Sequence, residues 1–321
     1  MELTPGADRP RIGISACLLG DEVRFDGGHK RDPFLAVTLS PHVEWVKVCP
    51  EVEVGMGTPR EALRLVRAAD GGVRMLTTRT GVDHTDAMNT WSRRRLRALE
   101  GEHLSGYVLK KSSPSCGMER VKVYSASGMP DPSGRGLFAG ALLSHFPNLP
   151  VEEEGRLSDP RLRENFIERV FAYQRLRRFF AGRWTPGSLV AFHTAHKMSL
   201  LSHSTVAYRA LGQLVARQPS SRAALREEYE QGFMAALSVL ATTRRQTNVL
   251  MHMAGHLKKL LDKASKAELV TCLEEYRLGL VPLIVPITLL RHYVRLHHVA
   301  YLAGQTYLEP HPRELMLRNH V

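Results

Sequence analysis

Nowhere in these 321 residues do two cysteines stand at a Cys-x-x-Cys spacing, and there are only four cysteines in all. That excludes a zinc ribbon and a ferredoxin-type ligand run. The first residues, Met1 to Pro10, are polar and hold no signal-peptide core. With so few cysteines, the expectation is free thiols in a reducing cytoplasm. No apolar run reaches membrane-spanning length; the longest, Leu278 to Leu290, is broken by Pro282 and Pro286. No Gly-x-Gly-x-x-Gly follows the first strand-like run and no His-Glu-x-x-His occurs, so neither a dinucleotide fingerprint nor a zinc-protease helix is present. There is no internal repeat.

Charge of one sign is scarce in one half only. Residues 1–158 carry 21 Lys/Arg against 20 Asp/Glu, whereas residues 159–321 carry 23 against 12. Ten of the fifteen histidines also fall in the second half. A basic half joined to a near-neutral one points to a polyanion, nucleic acid first. The alternative is a helical domain that is merely basic, because net charge speaks to solubility as much as to partners.

The length allows two domains, divided here as 1–158 and 159–321. In the first, strand-like runs alternate with helical stretches. Arg11 to Ala16, Val43 to Val48, Val73 to Leu76 and Tyr107 to Leu109 read as strands. Asp32 to Leu39, Pro59 to Ala69, Thr85 to Leu99 and Leu137 to His145 read as helices. This order predicts a Rossmann-like, mostly parallel α/β sheet. Asn148 to Pro160, with its prolines and Glu152-Glu153-Glu154, reads as a linker. The second half is predicted to be all-helical, with helices over 186–203, 222–241, 247–261, 266–278 and 286–302 and an extended tail from Thr306.

Three cysteines stand in three Gly/Pro/Ser-rich segments that follow strand-like runs: Cys17, Cys49 and Cys116. Loops at the carboxyl ends of parallel strands share one crevice. Three thiols in such a crevice fit an iron–sulfur site with one position left open. Taken singly, each thiol is as well explained by packing, since free cysteine is among the most buried residue types. Cys272, in a predicted helix of the basic half, reads as structural.

The segments around these cysteines are long and specific. Ser15-Ala16-Cys17-Leu18-Leu19-Gly20 with Val23-Arg24-Phe25-Asp26-Gly27-Gly28-His29-Lys30, Cys49-Pro50-Glu51 with Gly55-Met56-Gly57-Thr58-Pro59-Arg60, and Lys110-Lys111-Ser112-Ser113-Pro114-Ser115-Cys116-Gly117 resemble the motifs of the thiouracil desulfidase family. Phe25 stands where relatives are expected to have Tyr. The second half is similar to the helical domain of unknown function often fused to that unit, through His193-Thr194-Ala195-His196-Lys197, His252-Met253-Ala254-Gly255-His256 and Tyr307 to Leu315. The fused arrangement resembles bifunctional desulfidases acting on 4-thiouridine in tRNA and on free 4-thiouracil.

The resemblance implies a [4Fe-4S] cluster held by Cys17, Cys49 and Cys116, with the fourth iron open to substrate. Soft thiolates suit iron–sulfur centres. An open iron acts as a Lewis acid on a thiocarbonyl, so water can add at the ring carbon and sulfur can leave as hydrosulfide without net electron transfer. Glu51, two residues after a ligand, is then expected to be the general base for water and an acid for the leaving sulfur, against the simpler reading of a solvated loop carboxylate or a partner for Arg60. Ser113, in a Pro-limited turn, is expected to hydrogen-bond that base or the water, against the simpler reading of a turn serine, and ahead of Ser112 and Ser115. Arg24, Asp26, Lys110 and Ser112 are expected to face the substrate. Lys197, Arg244, Arg245, Lys258 and Lys259 are expected to meet tRNA phosphates, with His196 among them and Tyr208 and Tyr301 nearby for stacking. Two other functions stay open: a desulfidase of free thiobases whose helical domain is regulatory, and a non-enzymatic iron–sulfur sensor that binds nucleic acid.

Overall fold

Ile12 and Ile14 have no exposed surface, and the run Ile12–Ser15 is buried on both faces. Continuous burial is what an interior parallel strand requires. The computed structural model describes residues 9–217 and 221–321, and the polar start before residue 9 lies outside them. Two compact units divide the chain, Met1–Ser158 and Asp159–Val321.

The first unit runs β1 (Arg11–Ser15), β2 (Glu44–Val48), α1 (Pro50–Glu53), β3 (Leu63–Arg67), β4 (Val73–Thr77), α2 (Thr85–Glu100), β5 (Gly106–Leu109), β6 (Val121–Tyr124), β7 (Pro130–Gly134), α3 (Leu137–His145) and β8 (Val151–Glu153). One sheet has the order β2-β1-β5-β8, and every pairing in it is parallel. β1 has β2 on one side and β5 on the other, so the chain reverses its direction of winding there. That switch opens a crevice at the carboxyl ends of β1, β2 and β5. A second sheet, β4-β3-β6-β7, is mixed, with only β3 and β6 parallel.

Two expectations are corrected here. Residues 59–69 are not a helix. Leu63 to Arg67 form β3, paired to β4 and β6, with Leu65 fully buried between partly exposed neighbours. The helix-favouring Arg, Leu and Ala of this stretch are overridden by sheet pairing. The acidic stretch is also more than a linker. Val151–Glu153 is the outer strand of the parallel sheet, with Glu152 and Glu153 buried. Glu153 Oε1 accepts from the Met118 N–H at 2.7 Å and Glu154 Oε2 from the Lys111 N–H at 2.7 Å, while Glu154 also pairs with Lys110 Nζ. These carboxylates fasten the loop of the third cysteine.

The second unit is helical: α4 (Pro160–Ala181), α5 (Pro186–Ala195), α6 (Lys197–His203), α7 (Thr205–Ala216), α8 (Arg222–Ser238), α9 (Thr243–Leu257), α10 (Lys263–Arg277), α11 (Ile284–Leu296) and α12 (Ala300–Ala303). Most starts carry a Ser, Thr or Asp whose side chain accepts a first-turn N–H: Asp159, Thr185, Ser204, Ser221, Thr242 and Asp262. The helix expected over 186–203 is broken at His196. The expected extended tail is three short 3-10 turns, Thr306–Leu308, Arg313–Leu315 and Leu317–Asn319. Arg318 anchors that tail. Its Nε donates to Glu164 at 3.0 Å and its Nη1 to the Tyr307 carbonyl at 2.5 Å, among Glu168 and His203. Among the described residues no helix is long and apolar enough to cross a membrane.

Candidate functional site: a cavity lined by three thiols

Each cysteine is set by the end of a strand. β1 stops and its next residues, Ala16–Leu19, make a 3-10 turn closed by Gly20 at φ 107°. Cys17 is buried in that turn, and its carbonyl accepts from the Lys30 N–H at 2.9 Å, which folds the 21–30 loop back over it. Cys49 precedes α1, whose Pro50 supplies a helical φ at the first position. Its N–H donates to Glu53 Oε1 at 3.2 Å, and its thiol faces the Val23 carbonyl at 3.7 Å. Cys116 lies in the loop after β5, where Ser113 Oγ accepts from the N–H groups of Ser115 and Cys116 at 3.3 and 3.2 Å. Glycines press this loop in place. A Cβ at Gly117 would stand 2.3 Å from Val121 and 2.8 Å from the Ser113 carbonyl, and one at Gly136 would stand 2.5 Å from the Ser115 carbonyl.

The three thiols line one cavity of about 380 Å³, and all three are free. Glu51, Arg24, Lys110, Ser112 and Ser113 line it as well. Asp26 does not. Its carboxylate is exposed and turned to the Gly28 N–H at 3.1 Å and to Arg24 at 3.5 Å, and these contacts hold its pKa below the usual carboxylate value. Asp26 therefore shapes its own loop. Phe25, on the same loop, does line the cavity, with the Arg24 guanidinium 5.4 Å from its ring centre.

Glu51 is held from two sides. Arg60 Nε donates to its Oε2 at 2.9 Å, joined by Nη2, and Ser115 Oγ donates to its Oε1 at 2.7 Å. Ser113, expected to bond either Glu51 or the water, reaches Glu51 only through Ser115, 3.0 Å away. Arg60 is itself anchored by the carbonyls of Val23 and Gly57 at 3.0 and 2.9 Å. Sequence reasoning set Ser115 behind Ser113. The three serines of this loop carry equal local signals, and only the fold aims one at Glu51.

Burial, then the Cys49 thiol, pushes Cys17 up to about 11, while Lys110 and Arg24 pull the other way. Burial likewise raises Cys49 and Cys116. Burial thus disfavours the thiolate form of each, and a positive partner in the cavity would favour it. Among the described residues no three His, Cys, Asp or Glu side chains are gathered as a single metal ion would need. A polynuclear iron–sulfur group differs, because each thiolate binds a separate iron. Three soft donors around one cavity, with Arg24 and Lys110 beside them, fit such a group by donor chemistry.

The residues expected to meet RNA separate into different places in the helical unit. Lys258 and Lys259 are exposed beyond the end of α9, and Arg244 is exposed at its start. A helix of this length spans about 22 Å, so the two ends are not one patch. Arg245 is tied inward, donating to the carbonyls of His203 and Leu240. Lys197 begins α6, with its Nζ 6.0 Å from the ring centre of Tyr301. His196 cannot meet RNA: it is 3% exposed, stacked on Phe192 at 4.1 Å, and burial with Arg175 lowers its pKa to about 3. Its neighbour His193 is also core. It stacks on Tyr208 at 5.4 Å, and Tyr208 is half-buried against the same core.

Fold and cavity together define a class: an α/β protein with a thiol-lined crevice at a parallel sheet's carboxyl edge, continued by a helical unit. Residues 12–154 match the family described as 2-thiouracil desulfurase, and residues 197–312 match a protein of unknown function, DUF1722. The chain is similar to the uncharacterized protein YbgA of Escherichia coli (strain K12), 34% identical over 161 residues that make 50% of this chain and 95% of that protein. It is also similar to the uncharacterized protein YbbK of Bacillus subtilis (strain 168), 30% identical over 110 residues, or 33% of this chain and 72% of that one. Among solved structures it is similar to the [4Fe-4S]-dependent thiouracil desulfidase TudS, with 29% identity and a TM-score of 0.38, covering 46% of this chain and 93% of the other. The chain belongs to the 2-thiouracil desulfurase family and carries a DUF1722 domain in its second half.

Proposed function

We propose that this protein is an iron–sulfur desulfidase that hydrolyses the C–S bond of 4-thiouridine in tRNA and of free 4-thiouracil, releasing uridine or uracil and hydrosulfide without net electron transfer. The observation that carries the reading is the meeting of three free thiols and a clamped carboxylate in one cavity of about 380 Å³, within the usual range of small-molecule sites. Cys17, Cys49 and Cys116 would hold a [4Fe-4S] cluster. When bound, it supplies an open, soft, Lewis-acidic iron for a thiocarbonyl sulfur.

The remaining chemistry falls to the chain. Arg60 engages Oε2 of Glu51, so Oε1 is the oxygen left to take a proton from water. The Ser115 hydroxyl on that oxygen, with Ser113 behind it, orients the carboxylate and offers a path for the proton. Arg24 and Lys110 provide cations toward a pyrimidine carbonyl or the leaving sulfide, Ser112 a hydroxyl at the rim, and Phe25 an apolar edge for the ring. The basic helical unit docks the tRNA through its lysines.

The test is sulfide release by protein reconstituted with iron and sulfide under anaerobic conditions, given 4-thiouridine-containing tRNA and free 4-thiouracil. Release from both is expected. Release from neither by cluster-loaded protein overturns the enzyme, and release from the free base alone overturns the tRNA part and leaves a thiobase desulfidase.

A further inference from the structure

α9 presents one face to solvent. Asn248, Met251, His252, Gly255 and His256 are exposed along it, while Val249, Leu250, Met253 and Leu257 are buried behind. Gly255 is the odd member. Apart from proline, glycine is the poorest helix former, and nothing among the described residues calls for it here. Its backbone is ordinary right-handed helix, and a Cβ placed on it would meet no described atom within 4 Å beyond its chain neighbours and the backbone of its own helix. Either side of this bare spot stand imidazoles: His252 and His256 have ring centres 5.3 Å apart, and His256 lies 5.0 Å from Tyr301. Lys197 Nζ lies 6.0 Å from the ring centre of Tyr301, which is half-buried against the core. Among the described residues, the ionisable groups that act on His252 are Lys197 and His256. Lys258 and Lys259 follow, exposed, where the helix ends.

We propose that this face of α9, with Tyr301 and Lys197 beside it, is where an unpaired nucleobase of RNA stacks, its phosphates met by Lys197, Lys258 and Lys259. The inference rests on the tRNA reading above and deepens it. An aromatic surface bordered by cations is the usual platform for single-stranded nucleic acid, because every base has a π-face. The missing side chain at Gly255 lets a ribose or base approach the helix backbone. The excess of 23 basic over 12 acidic residues in this half supplies the complementary charge. A divalent cation fits less well: two imidazoles make an incomplete ligand set, and the Lys197 ammonium beside them repels it.

The experiment uses the full chain and a fluorescein-labelled, unmodified tRNA transcript, with anisotropy read over a range of salt. Tyr301→Ala and the His252→Ala/His256→Ala pair should each weaken binding about fivefold or more, the size of one base–aromatic stack, and leave the salt slope as it is. Tyr301→Phe should bind like the unaltered protein. Gly255→Gln should weaken binding as well, yet melt no lower than the unaltered protein, since glutamine favours helix more than glycine does. Replacing Lys197, Lys258 and Lys259 by Gln should flatten the salt slope, as fewer counterions are released. Unaltered affinity in Gly255→Gln and Tyr301→Ala overturns this face while the tRNA reading stands. If Tyr301→Ala fails to fold, Gly255→Gln decides. Absence of salt-dependent binding by the unaltered protein overturns the tRNA reading itself, and this face with it.

Discussion

Arg60 and Glu51 in the α/β unit, and Arg318 and Glu164 in the helical unit, are the same two residue types in the same kind of contact. Side-chain exposure barely separates them: 7% and 13% for the first pair, 4% and 6% for the second. Their surroundings differ. Glu51 borders a cavity of about 380 Å³ shared with three thiols, whereas Glu164 borders one of about 30 Å³, room for about one water. Arg60 leaves Glu51 an oxygen for a hydroxyl and for the cavity. Arg318 is consumed by Glu164, Glu168 and a carbonyl from the tail. A buried ion pair therefore says little about function until the space beside it is known.

The largest effects should come from the thiols. Cys17→Ser, Cys49→Ser or Cys116→Ser is expected to abolish iron content, visible cluster absorbance and sulfide release, while Cys272→Ser keeps all three. Iron and sulfide analysis of the purified variants checks this, and a Cys116→Ser protein with full iron would remove Cys116 from the ligand set.

Next comes the structural pair. Arg318→Met strands Glu164 and Glu168 in the core and should cost about 3–5 kcal/mol of unfolding free energy, read by urea titration of the full chain. A loss under 1 kcal/mol, the usual worth of an exposed pair, would show that the tail is not anchored there.

Glu51→Ala should retain iron but lose about a hundredfold or more in sulfide release, the usual size of a general acid–base contribution. It sharpens the comparison, because the corresponding loss of Arg318 acts on folding. Near-full turnover would leave Glu51 as nothing more than the partner of Arg60.

The helical network should also respond to pH. Despite its burial, Glu168 is held below the usual carboxylate range by His203 and Arg318, and His203 is raised, against its own burial, by Glu168. The stability from Glu168 is full above about pH 4.3, the unfolded carboxylate value, and is lost as pH falls through its lower folded value. That from His203 is full below about pH 6.5 and is lost as pH rises through its higher folded value. His203→Gln should flatten the alkaline limb of an unfolding-against-pH curve, and an unchanged limb would show that His203 carries no charge in the fold.

The smallest effect is expected at Asp26. Its carboxylate lies outside the cavity, so Asp26→Asn should change turnover of free 4-thiouracil by less than about threefold, on the scale of an exposed ion pair. A tenfold loss would place it at the substrate after all.

Much of this molecule was legible because its signals are local. Apolar runs closed by Gly, Pro and Ser marked the strands that end at Cys17, Cys49 and Cys116. Leu137 to His145 read as a helix and is one, and the second half read as helical up to its tail at Thr306. Such signals act within a turn or two of chain. Tertiary structure alone decided the rest. It turned Leu63–Arg67 into a strand, because that segment found partners in β4 and β6. It placed Val151–Glu153 beside β5, so Glu154 ties a loop 43 residues before it. It aimed Ser115 at Glu51 across 64 residues, left Asp26 outside the cavity and buried His196. Residue type and spacing carry no information about contacts made only when distant strands and helices assemble, and those contacts separate a serine that merely turns the chain from one that touches the carboxylate.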